Sequence, residues 1–400
     1  MGFSKKRNTW FFRGSLMKRY KEIGIMYTEE KLAAIAARDN NTKRKYLVVN
    51  RLQGKHIPVK PSDFFGMTDA LADIVREAYK GEKLLLIGFA ETATAIGMAV
   101  ASKLDTLYMQ TTRENIEGVE WLYFTESHSH ATEQKLVRNS LDEVVLEIDR
   151  IVFIEDEVTT GNTILKIVDI IDREYGGKVE FSVASLLNGM DEQSHDNYRE
   201  RNIGIHYLVK TDHSGYTEIA EKFCNDGDYF SHNSGKTENP TDVKCISGGL
   251  NSRKLVSSGD YTKACGNLYD SVKSLISREN GENLLVLGTE ECMFPALYVA
   301  AQFENTGYNV RCHSTTRSPI TVSREEKYPL HRRYELLSLY DDERITFIYD
   351  LKKYDSVLII TDSPCKSDKG VNCLVNALES CGNENIHVIK WENEDEGYYR

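Results

Sequence analysis

The amino-acid sequence predicts an α/β protein, a parallel-sheet domain followed by a second, degenerate α/β domain of similar plan. Three observations lead there. Short apolar runs alternate with stretches of helical spacing, as in a parallel sheet with crossover helices. The first strand of each half closes on a glycine, Gly88 and Gly288. Three landmarks recur in the same order with slowly drifting offsets: Gly88 with Gly288, Thr111-Thr112-Arg113 with Thr315-Thr316-Arg317, and Asp156 with Asp362. The alternative to a duplication is that many α/β domains carry a glycine after their first strand.

The elements follow in order. Residues 1–44 form a basic, mixed N-terminal extension in which the spacing predicts a short helix over Lys31–Ala37. A first domain spans 45–229. It opens with a strand at Lys45–Asn50 and a turn at Gly54-Lys55-His56-Ile57-Pro58. Strands are predicted at Leu84–Ile87, Thr106–Gln110, Ile151–Ile154 and Val179–Leu187, and helices at Thr92–Lys103 and Thr163–Tyr175. The second helix repeats apolar residues at Ile164, Leu165, Ile167, Val168, Ile170 and Ile171, one face of a 3.6-residue period. Residues 113–133 are polar and read as a long loop around Trp121–Phe124. Residues 230–255, rich in Ser, Gly, Asn and Lys, read as a linker. The second domain, 256–400, has strands at Leu284–Leu287, Asn309–His313, Ser356–Ile360 and His387–Lys390, with helices at Ala296–Gln302 and Gly370–Glu379.

Composition narrows the function classes. The chain of 400 residues is 40% hydrophobic and 28% charged, with a formal net charge of -11. Such a field disfavours a long polyanionic partner, so a nucleic-acid reading would rest on the basic stretch Lys5–Arg51 alone. It does not exclude a phosphorylated small molecule, which backbone amides, a metal and a few side chains can hold. All eight cysteines follow Phe223, and none forms a C-x-x-C pair. Scattered thiols suit a reducing cytoplasm. No apolar run is long enough to span a bilayer.

The chemistry concentrates in Ile151–Thr163. Four apolar residues make a buried strand, Glu155 and Asp156 stand at its carboxyl end, and Thr159-Thr160-Gly161-Asn162-Thr163 opens a helix. Ligands of open parallel sheets bind at that edge. The helix start offers amides and a positive dipole end to a phosphate. Gly161 is expected to let the backbone approach that phosphate, with threonine hydroxyls as further donors. Ionised carboxylates only accept hydrogen bonds, so Glu155 and Asp156 suit the hydroxyls of a sugar. A ribose 5-phosphate places its diol and its phosphate at opposite ends and satisfies both. A capped helix behind surface acids is the alternative.

This thirteen-residue pattern resembles the signature of type I phosphoribosyltransferases, which bind 5-phosphoribosyl 1-pyrophosphate (PRPP). Gly88–Ala95, Thr111–Arg113, Glu126–Glu133, Gly54–Pro58, Gly288–Glu291 and Ser314–Ile320 are similar to a bacterial branch that joins such a domain to a TRSP domain. Its genes accompany tellurite-resistance and stress-response operons. The resemblance implies PRPP-dependent transfer to an unidentified, nucleobase-like acceptor in a nucleoside-like metabolite pathway. It implies Mg²⁺, with no direct protein ligation of the metal, and a possible homodimer. Glu155 and Asp156 would hold the ribose and support its cationic transition state. Phe89, Ala90, Glu91, Thr92 and Ala93 would hold the pyrophosphate, with Arg113 neutralising it as it leaves. Capping by Thr92 is the plain alternative for that loop. His128 and His130 are hood or acid–base candidates under the same resemblance, and solvated loop histidines otherwise. One departure stands out: purine-using relatives carry an acid where this chain has Thr159. In the second domain Thr315, Thr316 and Arg317 form a candidate ligand site, whereas Thr361-Asp362-Ser363-Pro364-Cys365 replaces the phosphate cradle, so loss of PRPP catalysis is expected there. A non-catalytic PRPP or nucleotide sensor is the competing function, since fold alone does not decide between the two.

Overall fold

A computed structural model describes residues 26–39, 44–124, 134–232 and 242–393. The chain forms two compact units that interleave along the sequence. Of the described residues, unit 1 holds those within 26–31, 66–212 and 253–258, and unit 2 those within 32–65, 213–252 and 259–393.

The expected helix at Lys31–Ala37 is mostly strand. A helical turn ends at Leu32, and β1 (Ala33–Ala37) then pairs antiparallel with β2 (Tyr46–Asn50). Alanine favours helix, but the preference is weak and packing overrides it. Ala34 and Ala36 alternate inward and bury with Leu47, Val49, Ile320, Tyr328 and Leu330. That cluster ties residues 32–65 to unit 2, so the compact units do not divide at residue 45.

Unit 1 is built on β3 (Leu84–Gly88), β4 (Leu107–Gln110), β7 (Arg150–Val158), β8 (Glu180–Asn188) and β9 (Gly204–Lys210), with a small antiparallel pair, β5 (Trp121–Tyr123) and β6 (Lys135–Val137), between β4 and β7 in sequence. β3, β4, β7, β8 and β9 run parallel in the order β4-β3-β7-β8-β9. Ile151–Ile154 in β7 are fully buried. Helices Thr94–Leu104 and Asn162–Tyr175 cross over the sheet, and the second buries Ile164, Ile167, Val168 and Ile171, as its periodicity predicts.

Unit 2 begins its later portion with β10 (Asp228–Phe230) and β11 (Val243–Gly249). The expected linker therefore contains strand, because β11 pairs in parallel at the edge of the unit's sheet. The chain returns to unit 1 for β12 (Val256–Ser257), antiparallel to β4. It then gives unit 2 its β13 (Asn283–Gly288), β14 (Asn309–Ser314), β15 (Arg332–Leu337), β16 (Ile345–Tyr349), β17 (Ser356–Thr361) and β18 (Ile386–Asn393). The sheet order is β11-β18-β17-β13-β14, all parallel. Helices Phe294–Asn305 and Lys369–Ser380 follow β13 and the segment after β17. No helix among the described residues is long and apolar enough to cross a membrane.

Candidate active site

In unit 1 the sheet order creates the site. The chain leaves β3 toward β4 on one side and leaves β7 toward β8 on the other, so the strand order reverses between their carboxyl ends, the place where open parallel sheets take their ligands. The ladder between β3 and β7 stops at Gly88 and Ile154, where the Phe89 amide donates to the Ile154 carbonyl at 3.1 Å. Against β8, β7 continues through Glu155 to Val158. β7 thus runs past the end of β3, and its residues Glu155–Val158 pair with β8 alone.

Neighbouring strand residues point to opposite faces. Asp156 accepts a hydrogen bond from the Thr92 hydroxyl, which joins the acidic strand end to the loop after β3. Glu155 instead acts on Tyr198, whose hydroxyl its charge holds up in the same direction as burial does. Burial is the main cause that raises both carboxyls. Glu155 lies well above the ordinary range, with Asp156 and Glu157 adding repulsion. Asp156 is pushed up to about 6 by burial and then by Glu157, against the opposing pull of Thr92. Three consecutive acids at one strand end make a site that gains from positive charge.

Beyond β7, Gly161 has φ 69°, a left-handed conformation that favours glycine. A Cβ there would lie 2.2 Å from the Tyr198 hydroxyl and 2.6 Å from Met190 Cε. Tyr198 also donates to the Gly161 carbonyl at 2.8 Å. Gly161 is therefore needed for its backbone angle and for the tyrosine packed against it, a different reason from close approach to a phosphate. The tyrosine is itself held in the helix Glu192–Glu200, which Asp191 caps by accepting from the Ser194 amide. Lys210, at the end of β9, donates to the carbonyls of Asn188 and Met190 and fixes the segment carrying Met190. Thr160, Asn162 and Thr163 are exposed at the helix start, and Thr159 is half-buried. The Asn162 amide lies 3.4 Å from the Thr160 hydroxyl.

The loop after β3 divides into support and face. Phe89 packs on Phe124 and Phe153, with ring centroids 5.9 and 5.8 Å away. The amides of Phe89, Ala90 and Ala93 are taken up by Ile154, the Thr111 hydroxyl and the Phe89 carbonyl. Phe89, Ala90 and Ala93 are scaffold, and direct anion contact through those amides is not available. Glu91 is buried too. Thr92 stands apart. The following helix starts at Thr94 with no side-chain cap, so Thr92 is not its cap. Its hydroxyl serves Asp156. Thr112 pairs with Lys135 across the base of the β5–β6 hairpin, and half-buried Arg113 follows it. Gln134 donates to the Ala90 carbonyl at 2.8 Å. Tyr198 and Gln134 had no signal in the sequence, since each acts through a contact with residues far along the chain. His128 and His130 lie outside the described residues. Among the described residues, no three His, Cys, Asp or Glu side chains are placed to hold a metal ion unaided.

Two cavities lie away from this corner. One, of about 650 Å³, is lined by Tyr79, Lys83 and Thr106 at the opposite, amino-terminal end of the unit 1 strands. The other, of about 560 Å³, lies in unit 2 between Arg311, Arg332 and Lys352.

The candidate ligand site in unit 2 is closed. Thr315 and Thr316 are fully buried. Their hydroxyls accept from the Glu290 and Ser318 amides at 3.0 and 3.2 Å. Arg317 forms an ion pair with Glu290 at 2.6 Å and approaches Glu291 at 3.7 Å. The expected grip on an outside ligand is replaced by a grip on the chain's own carboxylates.

Residues 32–213 match the family model described as phosphoribosyl transferase, and residues 256–378 match the model described as TRSP domain C terminus to that transferase. No curated protein matches the chain. Among solved structures, adenine phosphoribosyltransferase of Trypanosoma brucei is similar, at 19% identity and a TM-score of 0.33, over 52% of this chain and 82% of that one. The enzyme of Rhodothermus marinus is similar at 12% identity and a TM-score of 0.34, over 49% of this chain and 99% of that one. The family match, rather than these overlays, assigns the first domain. The chain carries a phosphoribosyl transferase domain with a TRSP domain behind it, and its enzyme class is phosphoribosyltransferase.

Proposed function

We propose that unit 1 binds PRPP with Mg²⁺ at the β3–β7 corner and transfers ribose 5-phosphate to a small, nucleobase-like acceptor. The observation that carries this reading is the hydrogen bond from Thr92 to Asp156. It draws the acid of β7 and the loop after β3 into one crevice, at the edge where ligands of such sheets bind. Asp156 would accept from a ribose hydroxyl. The sugar's phosphate would lie on the exposed Thr160, Asn162 and Thr163 at the helix start. Thr92 and Arg113 would face the pyrophosphate.

In the transfer, the bond from the anomeric carbon to pyrophosphate breaks and its electron pair leaves with pyrophosphate. The acceptor nitrogen bonds to that carbon and passes its proton to the departing pyrophosphate. Positive charge grows on the sugar meanwhile, and the half-buried carboxylate of Asp156 stabilises it, with the charge of Glu155 acting from the other face of the strand. Their raised protonation range fits a bound cation, because ionisation beside Glu157 costs free energy until positive charge arrives. Mg²⁺ would supply that charge and neutralise the leaving group. Thr159 stands where purine-using relatives place an acid, which argues against a purine. A stress-linked setting belongs to the same proposal and rests on the resemblance in sequence, and a cytoplasmic one rests on the scattered thiols.

The test is release of inorganic pyrophosphate from PRPP and Mg²⁺ across a panel of nucleobase-like acceptors. Acceptor-dependent release supports transfer. PRPP binding without release across the panel would instead make unit 1 a sensor.

A further inference from the structure

Unit 2 repeats the plan of unit 1 down to single hydrogen bonds. The order β14-β13-β17-β18 reproduces β4-β3-β7-β8, all parallel. The Ala90 amide donates to the Thr111 hydroxyl at 2.8 Å, and the Glu290 amide donates to the Thr315 hydroxyl at 3.0 Å. Thr112 bridges to β6, and Thr316 bridges to β16. By this register Arg317 is the counterpart of Arg113, and Glu290 the counterpart of Ala90. The crevice between β13 and β17 is the counterpart of the PRPP corner.

That crevice is filled from within. The Glu290 carboxylate is fully buried and meets three donors. Arg317 Nε lies at 2.6 Å, Arg344 Nη2 at 3.1 Å, and the Ser338 hydroxyl donates to the other oxygen. Its backbone carbonyl accepts from buried Lys55 at 2.5 Å. Beside it, the Tyr340 hydroxyl donates to Asp362, the counterpart of Asp156, and contacts the Thr289 hydroxyl at 3.0 Å. The Ser363 hydroxyl donates to the Leu339 carbonyl and holds the same segment down. Two guanidiniums and a hydroxyl around one carboxylate form the donor set that recognises a phosphate-class anion.

We infer that unit 2 is a diverged copy of the phosphoribosyl-binding unit whose anion site is occupied permanently by its own Glu290 carboxylate. It rests on the phosphoribosyl reading of unit 1 only for the identity of the original ligand. The chain then takes up one PRPP, and the site in unit 2 is latent: taking away the carboxylate leaves a pocket for pyrophosphate.

The experiment removes that carboxylate from the full chain. Glu290 has φ 45°, so Glu290→Gly keeps the backbone conformation without strain. The background carries Asp156→Asn/Thr160→Ala, which silences unit 1. Binding of inorganic pyrophosphate is measured by calorimetry. The glycine variant is expected to gain one site per chain, at least tenfold tighter than any binding in the background, and Arg317→Ala is expected to abolish the gain. No gain, or a gain indifferent to Arg317, overturns the inference. If the glycine variant does not fold, Glu290→Gln is compared with Glu291→Gln by thermal unfolding. A Tm several degrees lower for Glu290→Gln supports the inference, and equal Tm values overturn it. Failure of the PRPP reading would show in the otherwise wild-type protein, as absence of PRPP binding, and leaves these comparisons intact.

Discussion

Asp156→Asn should make the protein more stable at neutral pH while removing its proposed ligand binding. The folded chain pushes this carboxyl from the usual 3.8 to about 6, chiefly by burial and secondly by Glu157. A group whose protonation range rises on folding stabilises the fold fully below its unfolded value, and that contribution is lost as pH rises through the folded value. The window is therefore about pH 4 to about 6. Roughly two pH units correspond to about 3 kcal/mol of destabilisation at pH 7, an upper figure because the adjoining Glu155 titrates alongside. Asparagine is the neutral isostere and can still accept from Thr92. Urea unfolding of both proteins at pH 7.5 and pH 4 reads the difference. The variant should be more stable by about 2–3 kcal/mol at pH 7.5, and the gap should close at pH 4. A variant equal to wild type at pH 7.5, or a gap independent of pH, would refute the placement of Asp156 in a half-buried, acid-crowded corner. Stability sacrificed at a charged site in this way is a common mark of function.

Further outcomes follow from the same geometry. Gly161→Ala should cost roughly 2–4 kcal/mol in urea unfolding, from the positive φ and the overlap with Tyr198; adding Tyr198→Ala should recover part of the loss, and strict additivity would contradict the contact. Thr92→Val removes the donor that opposes the rise at Asp156, so the carboxyl should titrate still higher and PRPP-dependent turnover should fall; a titration curve unchanged by the substitution would show that the hydrogen bond is not made. Arg113→Ala should lower kcat/KM for PRPP by roughly 10- to 1000-fold if the guanidinium meets the leaving pyrophosphate, and unchanged kinetics would take it out of the site. Chelation of Mg²⁺ should abolish both PRPP-induced stabilisation and pyrophosphate release, whereas binding that survives EDTA would remove the metal from the proposal.

Much of unit 1 is legible in the sequence because the relevant signals are local. The apolar run Ile151–Ile154 and the spacing of Ile164 through Ile171 specify strand and helix with no reference to partners. The Thr-Gly turn marks the corner between them. What stays hidden is set by contacts distant along the chain. Tyr198 and Met190 explain Gly161, yet nothing near residue 161 points to them. Ala33–Ala37 has helix-forming composition and becomes strand because β2 and the Tyr328 cluster accept its alternating face. The polar stretch at 230–255 reads as linker, and β11 within it is edge strand, half exposed and so without a continuous apolar run. Thr315-Thr316-Arg317 reads as an open anion grip, since the motif itself carries no sign that Glu290 fills it. The duplicated plan was visible as three landmarks, and the shared register at Thr111 and Thr315 gives it a physical form.

The central claim is that one strand-to-helix corner holds both ends of a phosphorylated ribose. Thermal unfolding with PRPP and Mg²⁺ tests it most directly, with each protein's shift taken from its own ligand-free Tm. The wild-type chain should gain several degrees, and Asp156→Asn/Thr160→Ala should gain none. Equal shifts in the two proteins would place PRPP somewhere else on the molecule and contradict the account.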